Sequence, residues 1–192
     1  MGFDWAVFKL INSLAGRSPL LDTIIRLLMN DYGLSTLLVL VPFGLWFSGD
    51  SPDDRERNQR GVLSTVVALV LGNLVVKAIN LVYWRWRPFT YHEVTLLFYH
   101  PSDSSFPSNA ATVGFCIAVS VWLFNRRAGL LLFVLASLFS VSRIAGGVHY
   151  PMDIVGGFCI GGLAAWLVGR KFRFLNRLWT PLIERMRWLV LA

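Results

Sequence analysis

Arg143, His149 and Asp153 stand within one stretch, Ser-Arg-Ile-Ala-Gly-Gly-Val-His-Tyr-Pro-Met-Asp, at the mouth of an apolar segment. An arginine offers a planar fork of donors that suits a phosphate. A histidine can attack as a nucleophile or carry a proton, and an aspartate nearby can hold its second ring nitrogen. Gly146 and Gly147 let the backbone approach a ligand, and Pro151 separates one element from the next. A plainer use exists for the same residues, as charged anchors of two helix ends at a membrane interface. Further candidates lie upstream. Arg85 and Arg87 precede Pro88, and Pro107-Ser108-Asn109 opens an apolar run. Proline suits the first turn of a helix, where free backbone N–H groups favour an anion. Ser108 taken alone reads as a helix cap. Three arginines with few acids nearby would repel one another unless an anion sat among them, and phosphate is the natural guest.

The elements that must position these residues are apolar. Of 192 residues, 55% are hydrophobic and only 15% charged, where a soluble domain is near one quarter charged. Spans are predicted over 33–47, 61–84, 107–124, 129–143 and 152–169, lengths that approach the roughly 20 residues needed to cross a bilayer. The expected fold is all-α: a polytopic membrane helical bundle of about five to six transmembrane helices in a single domain, 1–192, with interfacial amphipathic helices at both ends. Within it, 1–31 forms interfacial helices, 33–169 the transmembrane core, and 170–192 a cytoplasmic amphipathic tail. In the first part, Phe3, Val7, Leu10, Ile11 and Leu14 share one helical face, and Asp22 and Arg26 are spaced for an i,i+4 pair. The tail carries Leu175, Leu178, Trp179, Leu182, Ile183, Met186 and Val190 on one face, with a break expected at Pro181. Asp50 to Arg60 reads as a polar connecting loop. Gly157 and Gly161 have the small-xxx-small spacing of close helix packing, and Cys116 and Cys159 read as small core residues.

The formal charge of +7 is a topology signal, because no basic stripe interleaved with aromatics is present to suggest nucleic acid. Arg55, Arg57, Arg60, Arg126, Arg127 and the basic tail fall on one side of the five spans. The other side carries fewer: Lys9, Arg17, Arg26, Arg85, Arg87 and Arg143. The positive-inside rule makes the first side cytoplasmic. The 85–106 loop and the Ser142–Asp153 stretch then share the outer face.

These residues resemble the type-2 phosphatidic acid phosphatase superfamily, over roughly 77–165. That family carries Lys-x6-Arg-Pro, Pro-Ser-Gly-His and Ser-Arg-x5-His-x3-Asp, and the third motif is complete here as Ser142, Arg143, His149 and Asp153. The resemblance implies that His149 attacks phosphorus to give a phosphohistidine, oriented by Asp153. Arg87, Ser108 and Arg143 would bind the phosphoryl group, with Ser142, Asn109 and Gly147 beside them. It implies no cofactor and no metal. Two positions depart from the family. Asn80 stands where the first motif has lysine, although Lys77, three residues earlier, could reach up to the phosphate; Asn80 and Arg85 are further candidate phosphate ligands. Ala110 stands where the second motif has the histidine that would protonate the leaving group. General acid catalysis is typically worth 10²–10⁴-fold, so the chain is expected to be an impaired phosphatase, either a substituted variant or a natural pseudo-phosphatase. The intact remainder of the phosphate site favours the former. His92 and His100 are possible substitutes in the 85–106 loop.

Chain length, the interfacial N-terminal segment, Arg-Pro-Phe and Ser-Phe-Pro-Ser resemble the bacterial undecaprenyl pyrophosphate phosphatases of this superfamily. The implied partner is a membrane lipid, a polyprenyl pyrophosphate hydrolysed to the monophosphate at the extracytoplasmic face of the bacterial inner membrane. Phosphatidylglycerophosphate or phosphatidate is the nearest alternative substrate. A non-catalytic lipid-phosphate binder is the alternative of another class, and Ala110 would suit it.

Overall fold

The computed structural model describes residues 2–171 and 176–188, and these are all-helical. Two short helices lead, α1 (Phe3–Asn12) and α2 (Pro19–Met29), followed by α3 (Gly33–Trp46) and the long α4 (Pro52–Val82). A loop carrying the single turn α5 (Pro88–Tyr91) leads to α6 (Asn109–Phe124). Then come α7 (Arg126–Ala145), α8 (Pro151–Trp166) with a π-helical extension Leu167–Lys171, and α9 (Asn176–Trp188).

All five apolar segments read from the sequence are helical. By length and hydropathy, three helical stretches can cross a membrane: Pro52–Val82, Arg126–Ala145 and Pro151–Arg170. A fourth span exists if α2 and α3, bent by 44° at the break between them, cross as one. With 16 residues, α6 is shorter. It is the inner helix, packed against α4, α7 and α8, and its Ala111, Phe115, Cys116, Ile117, Ala118 and Val121 are buried. The core joins it to Leu34 and Leu38 of α3 and to Leu132, Ala136 and Phe139 of α7. Facing outward instead are Val66, Val70 and Leu74 of α4 and Leu130, Val134, Leu138 and Val141 of α7. An apolar belt of that size is what hydrocarbon requires of a bundle surface. The chain is a multi-pass membrane protein.

Several local expectations change. The segment Ser51-Pro52-Asp53-Asp54 begins α4 instead of a loop: the Ser51 side chain accepts the Asp54 N–H at 3.1 Å, Pro52 sits at the first helical position, and two acids face the dipole. Asp22 and Arg26 do not pair; Asp22 accepts the Gly16 N–H at 2.8 Å, and Arg26 donates to the Leu97 carbonyl at 2.9 Å. Pro107 lies before the cap of α6, not in its first turn, because Ser108 is the N-cap. Pro181 lies inside α9 without ending it. Leu175 and Val190 fall outside the described residues, whereas Ile183 is buried. Cys116 is buried as expected, but Cys159 is exposed. The apolar face of α1 that carries Phe3 and Leu10 is exposed, while Phe8 and Asn12 turn inward, as suits a helix lying in the interface.

The glycine spacing in α8 sets how the site is closed. A Cβ at Gly157 would meet the Ser108 carbonyl oxygen at 2.6 Å, and one at Gly161 would press into the Thr112 carbonyl and meet the Cys116 nitrogen at 2.9 Å. Only glycine lets the two backbones come this near. The approach brings the Ser108 N–H to the Asp153 carbonyl at 3.0 Å and sets the N-termini of α6 and α8 side by side. Gly161→Ala should therefore cost about 1–3 kcal/mol of stability, an overpacking penalty. Gly162→Ala should stay within about 1 kcal/mol of the parent, since its nearest neighbour, Val119 Cγ2, is at ordinary contact distance, 3.7 Å. Equal shifts for the two variants in detergent thermal unfolding would contradict this packing.

Candidate active site

One end of the bundle gathers the motif residues: the C-terminal ends of α4 and α7, the N-terminal ends of α6 and α8, and the loops between them. Arg87 and Arg143 are each only 5% exposed and His149 4%, while Asp153 is fully buried. Charges so placed need partners, and every one has them.

His149 lies in the tight connection between α7 and α8. Gly147 makes that connection possible with φ +87°, where a side chain would also meet the Thr95 carbonyl at 2.9 Å. The imidazole Nδ1 lies 2.9 Å from the Ser105 carbonyl. A carbonyl can only accept, so Nδ1 carries the proton and Nε2 keeps its lone pair. That Nε2 lies 3.3 Å from Arg87 Nη1, the phosphate-binding candidate. Burial lowers the His149 pKa from its ordinary value, the charges of Arg87 and Arg143 add to this, and Asp153 opposes it. The direction of this shift favours the neutral imidazole.

Asp153 is the hub beneath it. Its Oδ2 lies 3.6 Å from His149 Nδ1, beyond a hydrogen bond, and instead accepts the Ser105 hydroxyl at 2.5 Å and the Tyr150 N–H at 2.8 Å. The ring is thus positioned directly by the Ser105 carbonyl and electrostatically by Asp153. The other carboxylate oxygen accepts Arg85 Nη1 at 2.6 Å. Arg85 also donates to Asp4 at 2.5 Å, and the second Asp4 oxygen accepts the Met152 N–H at 2.9 Å. Arg85 therefore holds the Asp153 carboxylate, with its fork shared between two acids.

Arg87 and Arg143 form the two sides of a cradle. Arg87 donates to the Val148 carbonyl at 2.9 Å and to Asp103 at 2.8 Å. Arg143 pairs with Asp31, its guanidinium lies over Phe98 and Phe139, and its Nε is buried with no hydrogen-bond partner among the described residues. Asp31 and Asp103 are partly exposed and occupy guanidinium forks that suit a phosphate, so an incoming anion must exchange with them. Ser108 caps α6 through a long contact to the Ala111 N–H, 3.4 Å, and Asn109 follows at the exposed first turn.

Other expectations fall outside the cluster. Ser142 donates to the Phe139 carbonyl of its own helix at 2.8 Å. Lys77 is exposed in an apolar groove of α4 with Val66, Val70 and Leu74, and Asn80 is half-buried with its Oδ1 unpartnered among the described residues. His92 stacks on Trp5 at 3.9 Å, and His100 meets the Phe89 ring edge-on at 5.0 Å. Asp4, Asp31, Asp103 and Ser105 complete the site without any motif to mark them. A cavity of about 470 Å³ at the opposite end of the bundle, lined by Arg57, Arg60, Ser64, Phe124 and Gly169, holds none of these groups.

A helical membrane bundle that gathers buried arginines, a histidine and an aspartate at its helix ends defines a class, and comparison with known proteins supplies the family. Residues 61–177 match the PAP2 superfamily, and the chain belongs to it. It is 29% identical over 183 residues to the undecaprenyl-diphosphatase BcrC of Bacillus subtilis (strain 168), covering 95% of this chain and 91% of that protein. It is 31% identical over 175 residues to the bacitracin transport permease protein BcrC of Bacillus licheniformis, covering 89% and 83% respectively. Among solved structures, Aquifex aeolicus LpxE superposes with a TM-score of 0.68 at 26% identity, covering 88% of this chain and 95% of that one. The chain is thus a PAP2 lipid phosphatase homologous to undecaprenyl-diphosphatases.

His149 gives a titration test. Its folded pKa is lowered, so between that value and the unfolded value of about 6.5 the unfolded chain binds the extra proton. This contribution to stability is full above about pH 6.5 and is lost as pH falls toward the folded value. Denaturant unfolding in detergent at pH 7.5 and pH 5 should show a larger acid loss for the parent than for His149→Gln. An equal loss in both would contradict a buried neutral imidazole.

Proposed function

We propose that the chain hydrolyses the terminal phosphate of undecaprenyl pyrophosphate, at the extracytoplasmic face of a bacterial inner membrane, through a phosphohistidine at His149. The observation that carries this reading is the tautomer: with Nδ1–H committed to the Ser105 carbonyl, the Nε2 lone pair faces Arg87 inside the cradle. A terminal phosphoryl group bound between Arg87 and Arg143 would replace Asp31 and Asp103 on the two forks. Arg87, released from Nε2, would then hold a phosphoryl oxygen while the imidazole attacks phosphorus. Asp153, held by Arg85 and Ser105, offsets the positive charge that develops on the ring. The excess of arginines at the opposite helix ends supports an outward-facing site. The names of the similar proteins support the prenyl pyrophosphate as substrate. Ala110 offers no proton to the leaving group, which slows any reaction that needs one.

Phosphate release from undecaprenyl pyrophosphate in detergent micelles tests the reading. The chain should turn the lipid over, and His149→Ala should lower the rate by at least about 10³-fold. Equal release by both proteins would remove His149 from the chemistry. Binding without release by either would make the chain a lipid-phosphate receptor.

A further inference from the structure

Ala110 is the second residue of α6, at the helix end that faces the cradle, where the family's motif has its proton donor. No neighbouring group takes over that role. His92 is held against Trp5 and His100 against Phe89, and neither hydrogen-bonds to Arg87, Arg143 or His149 among the described residues. Asp31 and Asp103 are paired with guanidinium groups and act there as acceptors. The Tyr99 hydroxyl already donates to Asp31 at 3.0 Å, and burial and Asp31 together push its pKa up, making it a weaker acid. Among the described residues, none of these groups is placed to protonate what leaves the cradle.

We propose that Ala110 makes this chain selective for phosphoric anhydrides over alkyl phosphate monoesters, since a phosphate leaves as a stable anion and an alkoxide does not. The inference rests on the phosphatase reading of the same site. In the first step the His149 Nε2 lone pair forms a bond to the terminal phosphorus. The bridging P–O bond breaks, and its electron pair stays on the departing lipid phosphate. In the second step the water oxygen forms a bond to phosphorus, the P–N bond breaks with its electron pair returning to His149 Nε2, and both water protons leave with the inorganic phosphate, which ionises to solvent. No proton from the protein is consumed in either step. The two leaving groups differ greatly: a phosphate monoester has a second pKa of about 6, whereas an alcohol is about as weak an acid as water. A general acid accelerates alkoxide departure by about 10²–10⁴-fold and helps phosphate departure far less. Ala110 therefore costs the anhydride reaction little and the ester reaction nearly everything.

Diacylglycerol pyrophosphate and phosphatidate test this, because they share one lipid body and differ only in the leaving group. Inorganic phosphate release is measured in mixed micelles for the parent chain, Ala110→His and His149→Ala. The parent should cleave the anhydride at least about 100-fold faster than the ester, and this ratio does not depend on how any variant folds. Ala110→His should raise ester cleavage by about 10²–10⁴-fold and anhydride cleavage by less than about 10-fold. Comparable parent rates on both lipids would overturn the inference and point to another acid, with Tyr99→Phe the variant that identifies it. An inactive parent with both activities restored equally by Ala110→His would also overturn it, while the phosphatase reading stood. If no variant released phosphate from either lipid, both readings would fall together.

Discussion

A carboxylate with no access to solvent is the constraint on which the site depends. Asp153 sits at the first turn of α8, and leaving its charge uncompensated there would cost several kcal/mol. Its compensation comes from four directions: the Arg85 guanidinium, the Ser105 hydroxyl, the Tyr150 N–H, and the positive end of α8 itself. The partners come from three parts of the chain, so satisfying one charge draws the 85–106 loop, the α7–α8 connection and α8 into a single arrangement. Arg85 extends this to α1, because its second arm holds Asp4. Helix α1 is thereby tied to the end of the bundle that holds His149 and Asp153. The His149 tautomer follows from the same arrangement: the backbone of Ser105 takes the ring proton while its side chain holds the carboxylate.

The cradle obeys a complementary rule. Two buried guanidiniums without counter-charge would be unstable, and Asp31 and Asp103 supply it from exposed positions that can give way. On the proposed reading, binding would exchange these two exposed carboxylates for one phosphate with better geometry. Phe98 and Phe139 hold Arg143 in place by cation–π contact at 4.6 and 4.8 Å, so its fork stays aimed whichever anion is bound.

How much of this was legible in the sequence follows from the range of each interaction. The apolar segments and the Ser142–Asp153 motif are local patterns, so helix positions and the residues proposed for the site could be named directly. The partners could not. Arg85 and Asp4 lie 81 positions apart, Ser105 and Asp153 48, and Arg143 and Asp31 112, and no periodicity links them. Arg85 therefore read as a phosphate ligand when its charge is already committed to two acids. Asp50–Arg60 read as a loop because Pro and Asp mark both turns and helix starts, and only the Ser51 cap decides between them. Lys77 was placed on the right helix, but its side chain points into the apolar groove on the surface of α4.

The most direct test of the account is chemical trapping of the intermediate. The chain would be mixed with undecaprenyl pyrophosphate labelled in its terminal phosphate, quenched in alkali where phosphohistidine survives, and mapped by peptide. In a single turnover the label should appear as one covalent phosphoryl group on His149 before it passes to inorganic phosphate. Label on another residue, or phosphate released in a single turnover with no covalent label at any time, would contradict a nucleophilic His149 and the site built around it.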